Sequence, residues 1–258
     1  MVDATPETFA CTLSYNGEPF NGFAKQPGQR TVQSQLEDAL STIFRTEVPI
    51  TCAGRTDSGV HALGQVISFD LPAGEMEAKG DAAFLRSVNA LTHDAISVLS
   101  VEPKPAGFSA RFDAQAREYR YFICDRLPAP QFTAPFAWHI NKVLDVEAME
   151  EASLFLLGEH DFKSFCMAQS AIDKPTCRNI SDISFARKTV MGEGLLQITI
   201  VGNAFLHSMV RAIVGTLAMV GRGKREPQWV QRVLDARMRT AAGENAPANG
   251  LTLWRVIY

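Results

Sequence analysis

One stretch of this 258-residue chain has the residue types and spacing for chemistry: Ala53-Gly54-Arg55-Thr56-Asp57-Ser58-Gly59-Val60-His61-Ala62-Leu63-Gly64-Gln65. It joins two predicted strands, a task for which a hairpin needs only about 2–5 residues. Glycines at 54, 59 and 64 let a backbone approach a ligand closely and adopt positive φ. Arg55 and Asp57 are two residues apart, so a tight loop can bring both heads to one pocket. A guanidinium beside a carboxylate favours its ionised form, which suits a nucleophile or a base. A structural Asx turn with an Arg salt bridge is the competing reading of the same residues. A calcium loop needs acids at alternate positions, and here only Asp57 is acidic. A phosphate-cradling loop needs Gly-Lys-Ser/Thr, and this stretch has no lysine. His61, His93, His139, His160 and His207 form neither an H-x-x-x-H nor an H-E-x-x-H pair, which argues against a bound metal.

The flanking sequence predicts the elements that must position this loop. Phe9, Cys11, Leu13 and Tyr15 alternate with polar or small residues, a half-buried strand over 9–15 closed by Asn16-Gly17. Thr31 offers an N-cap for a helix carrying Val32, Leu36, Leu40, Ile43 and Phe44 on one face. Val48–Cys52 and Gln65–Leu71 read as strands, Asp81–Leu91 as a helix and Ala95–Val101 as a strand. That order, β-α-β-β-α-β, is the split βαβ pattern. The second half repeats the order of elements without repeating the sequence. Its strand Glu118–Cys124 precedes a helix over Val146–Leu157. A hairpin of Ile180–Ala186 with Leu195–Val201 turns at Met191-Gly192-Glu193-Gly194. Helices over Leu206–Val220 and Pro227–Met238 precede a last strand, Leu251–Tyr258. The proline-punctuated stretch Glu102-Pro103-Lys104-Pro105 marks a boundary, giving residues 1–104 and 105–258 as two subdomains. The expected fold class is α+β: two ferredoxin-like subdomains sharing a mixed, mainly antiparallel central sheet, with helices on one side.

Composition narrows the function classes. Hydrophobic residues at 46% and charged residues at 21% are ordinary for a globular chain and exclude wholesale disorder. A net charge of −3 argues against a protein that coats nucleic acid indiscriminately. Charge is unevenly spread, however. Asp145–Asp161 holds six acids and no Lys or Arg, whereas Arg211–Arg239 holds seven bases against Glu226 and Asp235. The basic run suits an anion such as RNA, or else a solvated helical face. Five scattered cysteines without a C-x-x-C pair read as reduced core thiols. No run reaches the roughly 18 apolar residues of a membrane span, and the start of the chain lacks the basic and apolar regions of a signal peptide. A cytoplasmic location is expected.

Gly54-Arg55-Thr56-Asp57-Ser58-Gly59-Val60-His61 closely resembles the catalytic motif of the tRNA pseudouridine synthase A (TruA) family. The likeness runs through nearly the whole chain. It includes Phe20-Asn21-Gly22-Phe23 with Gln26, Val32-Gln33 and Leu36-Glu37. It continues through Phe108-Ser109-Ala110-Arg111-Phe112, Arg117-Glu118-Tyr119-Arg120-Tyr121 and Gly158-Glu159-His160-Asp161-Phe162. Asn203-Ala204-Phe205-Leu206-His207-Ser208-Met209-Val210-Arg211 completes it, with Gly215-Thr216-Leu217. Phe23 and Ala24 depart from the family's usual Trp and Gln, and Cys166–Thr176 is idiosyncratic.

The resemblance implies an enzyme that isomerises uridine to pseudouridine at positions 38, 39 and 40 of the tRNA anticodon arm. It implies no cofactor, no metal, and a homodimer. Asp57 would be the catalytic nucleophile or base, and Arg55 would displace the target base. Tyr119 would stack on the flipped uracil, Arg211 would hold the Asp57 carboxylate, and Arg111 would contact substrate. The 105–258 subdomain would complete the active-site cleft. Without the resemblance, Tyr119 reads as a core tyrosine and His207 as a satisfied core histidine. Arg111 fits a phosphate contact or a salt bridge equally well. A non-catalytic RNA-binding module is the main rival, but Arg117–Tyr121 lacks the glycines of an RRM strand. A metabolite-sensing domain of ferredoxin-like topology has no use for the Arg55/Asp57 loop.

Overall fold

The computed structural model describes residues 5–167 and 175–258. The chain falls into two compact units, one of Met1–Gln115 with Leu253–Tyr258 and one of Ala116–Thr252. The architecture is α+β, with mixed, mainly antiparallel strand pairing.

In the first unit the order is β1 (Glu7–Tyr15), α1 (Val32–Phe44), β2 (Thr51–Cys52), β3 (His61–Leu71), α2 (Glu75–Lys79), α3 (Asp81–Leu91) and β4 (Ile96–Lys104). β1 lies between β4 and β3 and is antiparallel to both, while β2 pairs with β3. This is the split βαβ arrangement expected. β10 (Leu251–Ile257), whose residues from Leu253 onward belong to this unit, flanks β3 as well. Thr31 caps α1 as predicted: its hydroxyl accepts the Ser34 N–H at 3.2 Å and Ser34 Oγ accepts the Thr31 N–H at 3.3 Å. The inward face of α1 buries Val32, Leu36, Ala39 and Leu40 in a core with Leu13, Ile67, Leu71 and Phe84.

Three boundaries differ from the sequence reading. Of Val48–Cys52, only Thr51–Cys52 pairs in the sheet, although Val48 and Ile50 are buried. Their apolar character comes from packing rather than from a strand ladder. β3 starts at His61, four residues earlier than expected, so the irregular loop is residues 53–60. β4 continues through Pro103, which stands opposite Phe9, because β4 lies at the end of the strand order where a missing N–H is tolerated.

The second unit runs β5 (Ala116–Cys124), β6 (Trp138–His139), α4 (Val146–Ser153), β7 (Gly158–Asp161), β8 (Cys177–Val190), β9 (Glu193–Gly202), α5 (Met209–Gly221) and α6 (Trp229–Ala236). Its antiparallel strands lie in the order β5-β9-β8-β7, with β6 parallel to β5. The hairpin turn is only Met191-Gly192, both at positive φ, so Glu193 and Gly194 belong to β9. α4 stops at Ser153 and gives way to a short 3₁₀ turn over Leu154–Leu156. α5 begins at Met209 rather than Leu206 because Ser208 adopts φ 59°. Just before it, the Asn203 carboxamide accepts N–H groups from Asn179 and Ala204 at 3.1 and 2.7 Å, holding the chain in a turn. α6 is shorter than Pro227–Met238, ending where Arg237 turns left-handed at φ 49°. All five cysteines are free, but Cys177 is exposed, which corrects the reading of every thiol as core.

Gly64 shows how tightly β3 is packed: a Cβ there would lie 2.5 Å from the Trp254 carbonyl oxygen of β10. Gly64→Ala is therefore expected to destabilise the protein by about 1–3 kcal/mol. Gly194, on β9 with open space around it, is the control. Thermal unfolding checks this, with Gly64→Ala melting several degrees below Gly194→Ala; equal midpoints would contradict the close approach.

Candidate active site

The loop 53–60 is built from its base upward. The Ala53 N–H donates to the Val66 carbonyl at 2.8 Å, closing the β2–β3 hairpin. Gln65, fully buried, spans the base: its amide nitrogen donates to the Gly54 carbonyl at 2.7 Å. Above it Thr56 is buried and held at two points. Its carbonyl accepts the Phe23 N–H at 3.0 Å, and its hydroxyl shares a hydrogen bond with the Tyr15 phenol at 2.8 Å. The same phenol accepts from Gln65 at 3.4 Å. Burial drives the Tyr15 pKa far above the usual phenol range, so it remains a neutral hydroxyl. The Ser58 hydroxyl donates to the Phe20 carbonyl at 3.1 Å. The Val60 N–H donates to the Asp57 carbonyl at 3.1 Å, a turn completed by Gly59 at φ 77°. Gly22, at φ 85°, lies where a Cβ would stand 3.0 Å from the Thr56 oxygen. Buried His61 accepts the Gly17 N–H on Nδ1 at 3.0 Å.

Arg55 and Asp57 flank this fixed Thr56. Arg55 is exposed and Asp57 half-buried. A carboxylate in that position keeps access to a substrate while its backbone is held on both sides. Arg111 belongs to the same neighbourhood. Burial pushes the Cys52 thiol up to about 11, while the positive charges of Arg55 and Arg111 pull it the other way. Arg111 is exposed beside an anchored residue. The Ala110 N–H donates to Ser68 Oγ at 3.0 Å, and the Ala110 carbonyl accepts from the Tyr258 hydroxyl at 2.8 Å. The Arg111 guanidinium lies over the ring of Phe112, 5.3 Å away, and Phe112 is 79% exposed.

The other two expected site residues belong to the second unit. Tyr119 on β5 is 7% exposed and meets Phe205 edge to face at 5.1 Å. Next to it, Arg117 donates to the Asn203 carbonyl at 2.7 Å, tying β5 to the turn before α5. Arg211, in the first turn of α5, is half-buried. Its Nε donates to the Ala246 carbonyl at 2.8 Å and its own carbonyl accepts the Ala246 N–H at 3.0 Å. Its charge opposes the upward push of burial on the Tyr121 phenol. His207 is exposed, not a core histidine, because the turn at Ser208 carries it out of the helical face assumed for it.

The sequence reading missed Tyr15, Gln65 and Gly22 as the supports of the loop. Tyr15 stood out only as an inward strand position, and Gln65 only as a polar residue opening a strand. Phe23, a departure from the family pattern, is buried and packs 6.2 Å from Tyr15, so it fills core space beneath the loop. Cys166–Thr176 lies in large part outside the described residues. Among the described residues no group of three or more His, Cys, Asp or Glu side chains is arranged to hold a metal ion. No helix among them is long and apolar enough to cross a membrane.

Known proteins with this pattern share one description. A family model described as tRNA pseudouridine synthase matches residues 12–113 and 152–258. A Bacillus velezensis protein named tRNA pseudouridine synthase A is 46% identical over 250 residues, 96% of this chain and 98% of the relative. Its namesake from Bacillus licheniformis is 45% identical over 250 residues with the same coverage. One from Frankia casuarinae is 45% identical over 253 residues, 95% of this chain and 87% of its own length. With the Arg-Thr-Asp loop held on a split βαβ unit and both matched segments in place, the chain belongs to the tRNA pseudouridine synthase family.

Proposed function

We propose that this enzyme converts uridine to pseudouridine at positions 38, 39 and 40 of the tRNA anticodon arm. The observation that carries the reading is the 53–60 loop, in which buried Thr56 is held from both sides and Asp57 stays half-exposed beside it. The reaction breaks the N1–C1′ bond, turns the uracil while it is bound, forms a C5–C1′ bond, and then releases the C5 proton while N1 takes one up. Asp57 serves it as a carboxylate, attacking the sugar or C6 of the base, or taking a sugar proton. The isomerisation involves no net redox change, so it needs no oxidant or reductant, and the proposed mechanism uses no cofactor and no metal.

The remaining roles follow from residue chemistry. A target inside a paired stem must be extruded at a cost of a few kcal/mol. Stacking on an aromatic face, worth about 1–3 kcal/mol per base, offsets that cost, and Tyr119 is the proposed platform. Arg55, exposed beside the anchored Thr56, is the proposed substitute for the displaced base. Arg211 is the proposed supporting cation for the carboxylate, and Arg111 the proposed phosphate contact. The aspartate loop and Arg111 come from the first unit, and Tyr119 and Arg211 from the second. The working form is a cytoplasmic homodimer.

Asp57→Ala is expected to abolish pseudouridine in the anticodon arm while tRNA binding stays within a few fold. Because the product has the mass of the substrate, pseudouridine-selective chemical labelling is the assay; normal labelling in the variant would refute the role. Tyr15→Phe removes the hydroxyl that Thr56 and Gln65 share. It should cost about 0.5–1.5 kcal/mol of stability and lower the rate more than it weakens tRNA binding. Equal rates for Tyr15→Phe and wild type would show that the loop is held without that bond. Light scattering at micromolar concentration should give the mass of a dimer; a stable monomer would contradict the assembly.

A further inference from the structure

The seven bases between Arg211 and Arg239 do not form one surface. Arg232 pairs with Glu226 at 2.7 Å, and Arg237 lies 3.4 Å from Asp161. Arg239 donates to the Gly243 carbonyl and the Asn245 carboxamide at 2.8 and 3.0 Å. Arg211 is engaged with Ala246. Three bases remain, Arg222, Lys224 and Arg225, and they stand together where α5 ends.

The end of α5 is a fixed platform. The Gly223 N–H donates to the Val220 carbonyl at 2.7 Å, and the Lys224 N–H to the Met219 carbonyl at 3.0 Å. With Gly223 at φ 70°, these two bonds make a Schellman cap. The Asp145 N–H donates to the Gly221 carbonyl at 2.9 Å, and Lys142 Nζ to the Arg222 carbonyl at 2.8 Å. A fourth base is thereby brought to the same corner. Two of the four are laid over indole rings: Arg222 sits 4.9 Å from the centre of Trp138, and Arg225 5.3 Å from that of Trp229. The carboxylates nearby are weakly placed or occupied. Glu244 reaches Arg222 only at 3.8 Å and is mostly exposed, Asp145 caps α4, and Glu226 is held by Arg232. Among the described residues Lys142, Lys224 and Arg225 have no ion-pair partner. Attraction to the helix dipole explains one base at a carboxy-terminal end. It does not call for four, one of them from a separate segment, or for two lying on tryptophan faces.

We propose that Lys142, Arg222, Lys224 and Arg225, with Trp138 and Trp229, form a docking surface for the RNA sugar-phosphate backbone. The surface takes phosphates by charge and is indifferent to base sequence, since a rigid turn bearing ammonium and guanidinium groups matches regularly spaced anions. The indole faces hold the two guanidinium groups in place, which lowers the entropy they lose on binding. The proposal rests on tRNA being the substrate and adds a part of the protein that grips it.

The test measures tRNA binding by the full chain across a range of salt concentrations. Lys224→Gln should lower the slope of log K against log[salt] by about 0.7–0.9, and Lys224→Gln with Arg225→Gln by about twice that, with affinity falling several-fold at low salt. The charge-keeping exchange Lys224→Arg with Arg225→Lys should retain the wild-type slope, which separates loss of charge from a disturbed cap. Lys79→Gln, in α2 of the other unit, should leave the slope unchanged. An unaltered slope in the double glutamine variant, or an equal loss in Lys79→Gln, would overturn the docking surface. Binding is read independently of catalysis. If the wild-type protein forms no pseudouridine, the proposed function fails; if it does and the slopes do not move, only this surface fails.

Discussion

Tyr15, Thr56 and Gln65 form the small buried hydrogen-bonded group on which the 53–60 loop depends. Two strands supply it: Tyr15 ends β1 and Gln65 lies within β3, so the sheet fixes the distance between them before the loop is considered. Thr56 is then drawn down onto the phenol, and Gly54 onto the Gln65 amide. Each bond contributes about 0.5–1.5 kcal/mol net, but a buried group left without its partner costs about 1–3. That asymmetry makes the arrangement nearly all-or-none. Once Thr56 is fixed, its neighbours, exposed Arg55 and half-buried Asp57, keep little backbone freedom, the preorganisation that the proposed nucleophile needs.

Glycine makes this approach possible at two places. Gly22 crosses close to the Thr56 carbonyl at positive φ, and Gly64 lets β3 lie against the backbone of β10. In both cases the atom that an added Cβ would meet first is a backbone oxygen. Phe23 shows the opposite behaviour. It differs from the family's usual residue, yet it is fully buried and fills core space next to Tyr15.

Much of the fold was legible because its signals are local. Thr31 as the N-cap, the inward face of α1, the bounds of α3 and the alternation of β5 depend on neighbours a few residues away. What escaped depends on distant partners. The start of β3 at His61 follows from pairing with β1, and Val48–Ile50 packs without a ladder although it reads as a strand. The break at Ser208 is a left-handed backbone at φ 59° that follows a turn held by Asn203, and helical periodicity cannot register it. The site followed the same rule. Arg55 and Asp57 were visible as a pair within one loop, whereas Tyr15 and Gln65, forty-odd residues apart from Thr56 or buried in a strand, carried no chemical signature of their own. The charge count misled in its own way. Of the seven bases in sequence, four disperse into ion pairs and carbonyl contacts, and the basic corner that the other three form includes Lys142, which lies in neither charged run.

Whether the aspartate loop isomerises uridines of the anticodon arm is decided by site-by-site pseudouridine mapping of tRNA incubated with the purified protein. New pseudouridine is expected at positions 38, 39 and 40 wherever a uridine stands there, with unchanged uridines elsewhere. Pseudouridine formed only at other positions, or none at all, would contradict the proposed function.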